Sequence, residues 1–172
     1  MKRRLLIAMT VALVPALLWA VDTLTHMNGT RQVVLSAPAT WEARTEPYVV
    51  SASAPSEGDA YPPTVSVLVE AVSGERKRLQ PYMKAMYSLQ WQMSDAMTGW
   101  SPRDTTWDGL PASVSDFRSA YGDAMMNTRV IVAIEGDTAY VCRAMWLDDT
   151  SPTRIASALE VLSTVKRPRS TK

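Results

Sequence analysis

The chain has 172 residues, 47% of them hydrophobic and 20% charged, enough for one globular domain and incompatible with intrinsic disorder or a collagen-like chain. Its formal charge is +1, but Lys2, Arg3 and Arg4 precede an apolar run, and without them 15 basic side chains face 17 acidic ones. That mildly acidic body offers no electrostatic case for phosphate or nucleic acid, and the single cysteine, Cys142, excludes a disulfide framework or a multi-cysteine zinc site.

The first 22 residues concern location. Residues 5–21 run 17 positions without a charge. As a helix that run is about 25 Å long, at the short end of what spans a bilayer core. Leu5, Leu6, Ile7, Val11, Leu13, Val14, Leu17 and Leu18 supply its apolar surface, and Trp19 suits the headgroup zone. The run exceeds the apolar region of an ordinary signal peptide, and no Ala-x-Ala site follows it. It therefore reads as an uncleaved anchor in preference to a removed signal peptide. Under either reading the triple-basic flank stays in the cytoplasm and the remainder is exported, to the periplasmic side of an inner membrane. Residues 23–32 read as a polar spacer. Asn28-Gly29-Thr30 within it matches a glycosylation acceptor, although Asn-Gly is equally a turn pair, and a turn is the preferred reading.

The domain itself spans residues 33–166. Short strands are expected at 33–35 and 48–52, joined by a connection over 38–47. A loop covers 53–63, and Val65, Val67 and Val69 alternate along a strand at 64–72. The period then changes: Leu79, Tyr82, Met83, Met86, Leu89, Met93 and Met97 recur at spacings of three and four, the stripe of a helix lying on a sheet. Pro81 fits only its first turn, and Gly99 is a plausible stop. Strands follow at 105–108, 112–119, 128–135 and 138–147, the last two flanking the Glu135-Gly136-Asp137 hairpin signal. Ser151-Pro152 opens a terminal helix with Ile155, Ala158, Leu159, Leu162 and Val165 on one face, and Lys166-Arg167 are placed to complement its dipole. A short basic tail, 167–172, ends the chain. The expected architecture is α+β: a membrane helix, then a layered domain with a mainly antiparallel sheet, one long helix and one short C-terminal helix.

This element order resembles the PsbP-like/DcrB-like superfamily, which includes LpqN-type envelope proteins. Trp107-Asp108-Gly109-Leu110-Pro111-Ala112 is similar to that group's apolar-x-Gly-x-Pro-Ala turn, and the hairpin over 129–145, with Gly136 at its tip and Tyr140 beyond, is similar to the pattern that follows. The resemblance covers residues 33–165. It implies a non-enzymatic accessory or binding domain of the cell envelope, acting within larger assemblies or as a chaperone-like module.

Little in the sequence supports catalysis. His26, the only histidine, lies in the spacer, so no histidine-dependent triad can form in the domain. Cys142 alternates with Tyr140, Ala144 and Trp146 on a strand and reads as a buried structural thiol. The acidic pairs Asp148-Asp149 and Glu57/Asp59 lack the spaced oxygens of a calcium site, and no glycine-rich phosphate loop is present. No metal or cofactor is expected, and the basic run 76–78 reads as a solvated turn. Trp91 falls away from the methionine stripe, Trp100 and Trp107 lie in the connecting region, and Met125-Met126 are expected in a loop. These five residues form the candidate partner-binding surface. The leading function is an anchored envelope module that docks onto a protein partner or a larger membrane complex. The alternatives are a carrier holding lipid or apolar peptide between the long helix and the sheet, and a toxin-neutralising immunity protein.

Overall fold

A computed structural model of the chain describes residues 23–93 and 97–168, the side chains of residues 91–93 excepted. The anchor residues Leu5 to Trp19, the Trp91 and Met93 side chains, and residues 169–172 lie outside that part. No helix among the described residues is long and apolar enough to cross a membrane.

Among the described residues nine strands and two α-helices follow in order: β1 (Thr23–Met27), β2 (Val34–Pro38), β3 (Glu42–Thr45), β4 (Val49–Ser53), β5 (Thr64–Ala71), α1 (Leu79–Met93), β6 (Arg103–Trp107), β7 (Leu110–Tyr121), β8 (Ala124–Glu135), β9 (Thr138–Leu147) and α2 (Pro152–Ser163). Seven strands form one antiparallel sheet in the order β3-β4-β5-β9-β8-β7-β6. Strands β1 and β2 form a separate antiparallel hairpin, fastened to the chain after α2 by paired backbone bonds between Val34 and Lys166.

Both faces of the large sheet carry a core, because its central strands are apolar on alternate residues in both registers. On one face Val65, Val67, Tyr140, Cys142 and Ala144 pack beneath Ala158, Val161 and Leu162 of α2 and beneath Val33, Leu35 and Ala37 around β2. On the other face Val130, Val132 and Val141 pack beneath Tyr82, Met83 and Met86 of α1. Each fully buried Val, Leu or Met among them contributes about 1.5–3 kcal/mol. The α+β expectation holds, with α1 starting at Leu79 and α2 carrying Pro152 at its first position.

Several local expectations do not. Thr23–Met27, expected within a polar spacer, is strand β1; its burial pattern is almost wholly exposed, so it carries no apolar alternation to betray it. The connection over 38–47 contains β3, a short exposed edge strand. Met97 lies outside the helix, since Thr98 is already bonded to Arg118 across an antiparallel bridge. Leu89, expected on the buried stripe, is 54% exposed. Met125 and Met126 lie on β8, not in a loop: the turn falls earlier, at Gly122, which adopts φ +58°. Arg167 does not cap α2, which ends at Ser163; it reaches the β6–β7 turn instead.

Candidate functional site

The α2 helix packs chiefly over β9, β5 and β2. On β6, β7 and β8 that face is buried at the Trp107, Ala112 and Ala133 end and only half-buried further along, from Val114 to Trp146. Strand alternation and the cross-strand register set its residues side by side: Thr105 opposite Ala112, Val114 opposite Ile131, Asp116 opposite Arg129, and Asn127 opposite Trp146. Val114, Ile131, Thr105 and Trp146 are all half-buried, with Ile131 and Trp146 resting against the core that α2 covers further along.

A carboxylate organises the polar end of this face. Arg129 Nε and Nη2 donate to the two Asp116 oxygens at 2.6 and 3.1 Å, a bidentate pair, and Arg103 Nη2 donates to the same carboxylate at 3.1 Å. The hydrogen bond to Asp116 holds the Arg129 guanidinium above its ordinary pKa. Beside it Asp148 accepts from Arg118 and, at 2.6 Å, from Asn127. Two shallow clefts flank Arg129. One, of about 360 Å³, is lined by Arg103, Asp104, Thr105, Val114 and Ile131; the other, of about 330 Å³, reaches Trp146, Asn127 and Thr98. Half-buried apolar side chains, fixed charges and the edge strand of the described sheet thus meet at one end of this face.

The residues singled out from the sequence do not assemble into one patch. Trp107 is 6% exposed and stacks on Tyr140, ring centroids 5.1 Å apart, in the core on the α2 face. Trp100 lies on the opposite face, half-buried between Tyr87 and Phe117 at 5.5 and 5.3 Å. The thickness of the sheet separates the two indoles, so Trp107 is corrected from a contact residue to a core residue. Met126 is also buried, while Met125 is half-buried. Trp91 lies on the last turn of α1, and its side chain is outside the described part. The residues that sequence reasoning missed, Val114, Ile131 and Trp146, read there as ordinary alternating strand positions; nothing in one sequence says which end of a sheet face will stay half-buried.

This sheet order, with one helix on each face and a hairpin packed beside the second, decides the comparison. The chain has the PsbP-like fold. It superposes on PA94 of Pseudomonas aeruginosa, a protein of unknown function, with a TM-score of 0.60 and 13% identity, over 87% of this chain and 99% of that one. The solution structure of CyanoP, the cyanobacterial PsbP of Synechocystis sp. PCC 6803, matches at 0.58 and 13% identity, over 86% and 94%. LpqN of Mycobacterium tuberculosis, described as involved in cell envelope biogenesis, matches at 0.55 and 15%, over 86% and 91%. At these identities the likeness is one of fold. No family model and no curated protein matches the sequence.

Elsewhere in the PsbP-like domain Cys142 and Tyr82 are buried in the core. Burial pushes the Cys142 thiol far up, away from the nucleophilic thiolate. Tyr82 donates to Glu70 Oε1 at 2.6 Å, and burial together with that bond raises its phenol. His26 lies half-buried on β1 opposite Leu35. Asn28, the residue of the glycosylation motif, is 1% exposed and serves as the hub of a turn. Among the described residues no three histidine, cysteine or acidic side chains gather as a metal site.

Proposed function

We propose that this chain is a non-catalytic accessory module of the cell envelope, held in the cytoplasmic membrane by residues 1–22 with its PsbP-like domain outside the cytosol. A protein partner docks on the open sheet face formed by β6, β7 and β8. The observation that carries this reading is the row of half-buried apolar side chains, Val114, Ile131 and Trp146, beside the Arg103–Asp116–Arg129 ion pairs. Ion pairs fixed before binding favour a docking partner, since their geometry needs no ordering on contact. The shared fold with CyanoP and with an LpqN involved in envelope biogenesis supports an envelope role.

Val114→Arg tests the proposal. Val114 is half-buried on the open face, so the substitution places a long charged chain where the partner would sit. The full-length variant extracted in mild detergent should migrate as the free chain on native gels, while the wild type migrates as a larger complex. Leu89→Arg, on the exposed side of α1, should leave the complex intact. Equal migration of wild type and Val114→Arg contradicts the proposal.

A further inference from the structure

A cleft of about 460 Å³ lies at the other end of the same sheet face, away from the docking row. Four distant stretches of chain converge on it: Arg31 from the turn after β1, Asp108 from the β6–β7 turn, Glu135 and Tyr140 from the β8–β9 hairpin, and Lys166 and Arg167 from beyond α2. Its volume falls in the range of small-ligand clefts, roughly 300–1,000 Å³.

Charge bookkeeping separates its residues into two groups. Arg167 is fully committed: Nε donates to Asp108 Oδ2 at 3.0 Å, Nη1 to Glu135 Oε1 at 2.6 Å, and Nη2 to the Asp108 carbonyl at 2.9 Å. Its backbone N–H also donates to Asp108 Oδ2 at 3.0 Å. Asp108 and Glu135 thus share this one guanidinium, which offsets one of their two charges; with Arg31 and Lys166 the cleft carries a net charge of +1. Arg31 and Lys166 are not committed; among the described residues neither side chain has an ion-pair or hydrogen-bond partner. The Arg31 backbone is held at φ +57° by the Asn28 turn, a conformation a non-glycine residue adopts at a cost, so its position is imposed. Tyr140, which lines the cleft, stacks on the Trp107 indole, whose Nε1 is a buried donor without a partner among the described residues.

We infer that this cleft binds a phosphate monoester, with Arg31 and Lys166 as its charge-assisted donors. Two uncommitted cations on one rim suit a dianion better than a single carboxylate, and an Arg guanidinium presents paired donors matched to phosphate oxygens. The near-neutral sum of the whole chain, +1, gives no sign of this local placement of Arg31 and Lys166. The phosphate belongs either to a soluble metabolite or to a lipid headgroup.

The test follows the Trp107 indole N–H by NMR in the full chain, held in uncharged detergent micelles and labelled on tryptophan. Trp107→Phe assigns the signal. Inorganic phosphate and dihexanoyl phosphatidic acid are titrated separately, with chloride at equal ionic strength as the control. A saturable shift with inorganic phosphate that the lipid does not improve on identifies a soluble ligand; saturation at about tenfold lower concentration of the lipid identifies a headgroup. The Arg31→Asn/Lys166→Gln double variant should weaken either response at least about tenfold, as expected for loss of charge-assisted contacts. Should Arg31→Asn disturb the turn, Lys166→Gln alone is read, since only the Lys166 backbone pairs with Val34. A shift no larger than that of chloride, or one unchanged in these variants, overturns the inference.

Discussion

Asn28 and Pro47, nineteen positions apart, are joined by a hydrogen bond of 3.1 Å from Asn28 Nδ2 to the Pro47 carbonyl. The same amide donates to Thr30 Oγ1 at 2.7 Å, and its oxygen accepts from the backbone N–H groups of Gln32 and Val33 at 2.8 and 3.2 Å. One buried side chain thereby ties the β1–β2 turn to the β3–β4 turn. Asn28→Ala strands several of these groups at once and should cost about 3 kcal/mol in urea unfolding. Gly29→Ala should also destabilise, because a Cβ there would stand 2.9 Å from Pro47 Cα. The buried amide should leave the folded chain unglycosylated when expressed in a glycosylating host, a point that mass measurement checks.

Trp107 fills core space but leaves its indole N–H unpaired among the described residues. Trp107→Phe removes that buried donor while keeping the aromatic contact with Tyr140, so thermal unfolding should shift little, within about 1 kcal/mol of wild type. Trp107→Ala, which opens a cavity beside Tyr140, should cost about 3–5 kcal/mol.

Cys142 and the phenols of Tyr82 and Tyr140 are all raised above their ordinary values, chiefly by burial. A group raised in the folded state lends stability that is complete below its unfolded pKa and drains away as pH climbs. Stability should therefore begin to fall above about pH 8.5 through the thiol and more steeply above about pH 10 through the phenols, at about 1.4 kcal/mol per pH unit for each group. Denaturant titrations at pH 7, 9 and 10.5 measure this, and Cys142→Ala should remove the first part of the decline. The native thiol should also resist a disulfide reagent until the chain unfolds.

Asp116 accepts from two guanidiniums on a partly exposed surface. Asp116→Asn should change stability by no more than about 1 kcal/mol, as exposed ion pairs do. It should nonetheless weaken partner docking, because Arg103 and Arg129 lose the acceptor that positions them. Unfolding and complex recovery, measured on the same preparations, separate the two effects.

Much of the fold was legible because burial leaves periodic traces. Val65, Val67 and Val69 alternate, Tyr82, Met83 and Met86 share a helical face, and Gly136 marks a hairpin; each element lies where those signals put it. Strand β1 left no trace, since an outer strand exposed on nearly every residue has no reason to alternate. The β7–β8 turn was drawn too wide because residues 120–127 show no clean apolar alternation, although β7 runs on to Tyr121 and β8 starts at Ala124. The candidate surface was the least legible part. Tryptophan content marked Trp107, which is core, while Val114 and Ile131 gained their meaning only from the partial burial of that end of the sheet face.

The central claim is that a protein partner occupies the open face of β6, β7 and β8, and photo-cross-linking in living cells tests it most directly. A photoreactive amino acid replaces Ile131 in one full-length chain and Leu89 in another. Illumination should give a discrete protein adduct of fixed mass from position 131 and none from position 89. Adducts of equal yield from both positions, or lipid adducts alone from position 131, would contradict the account.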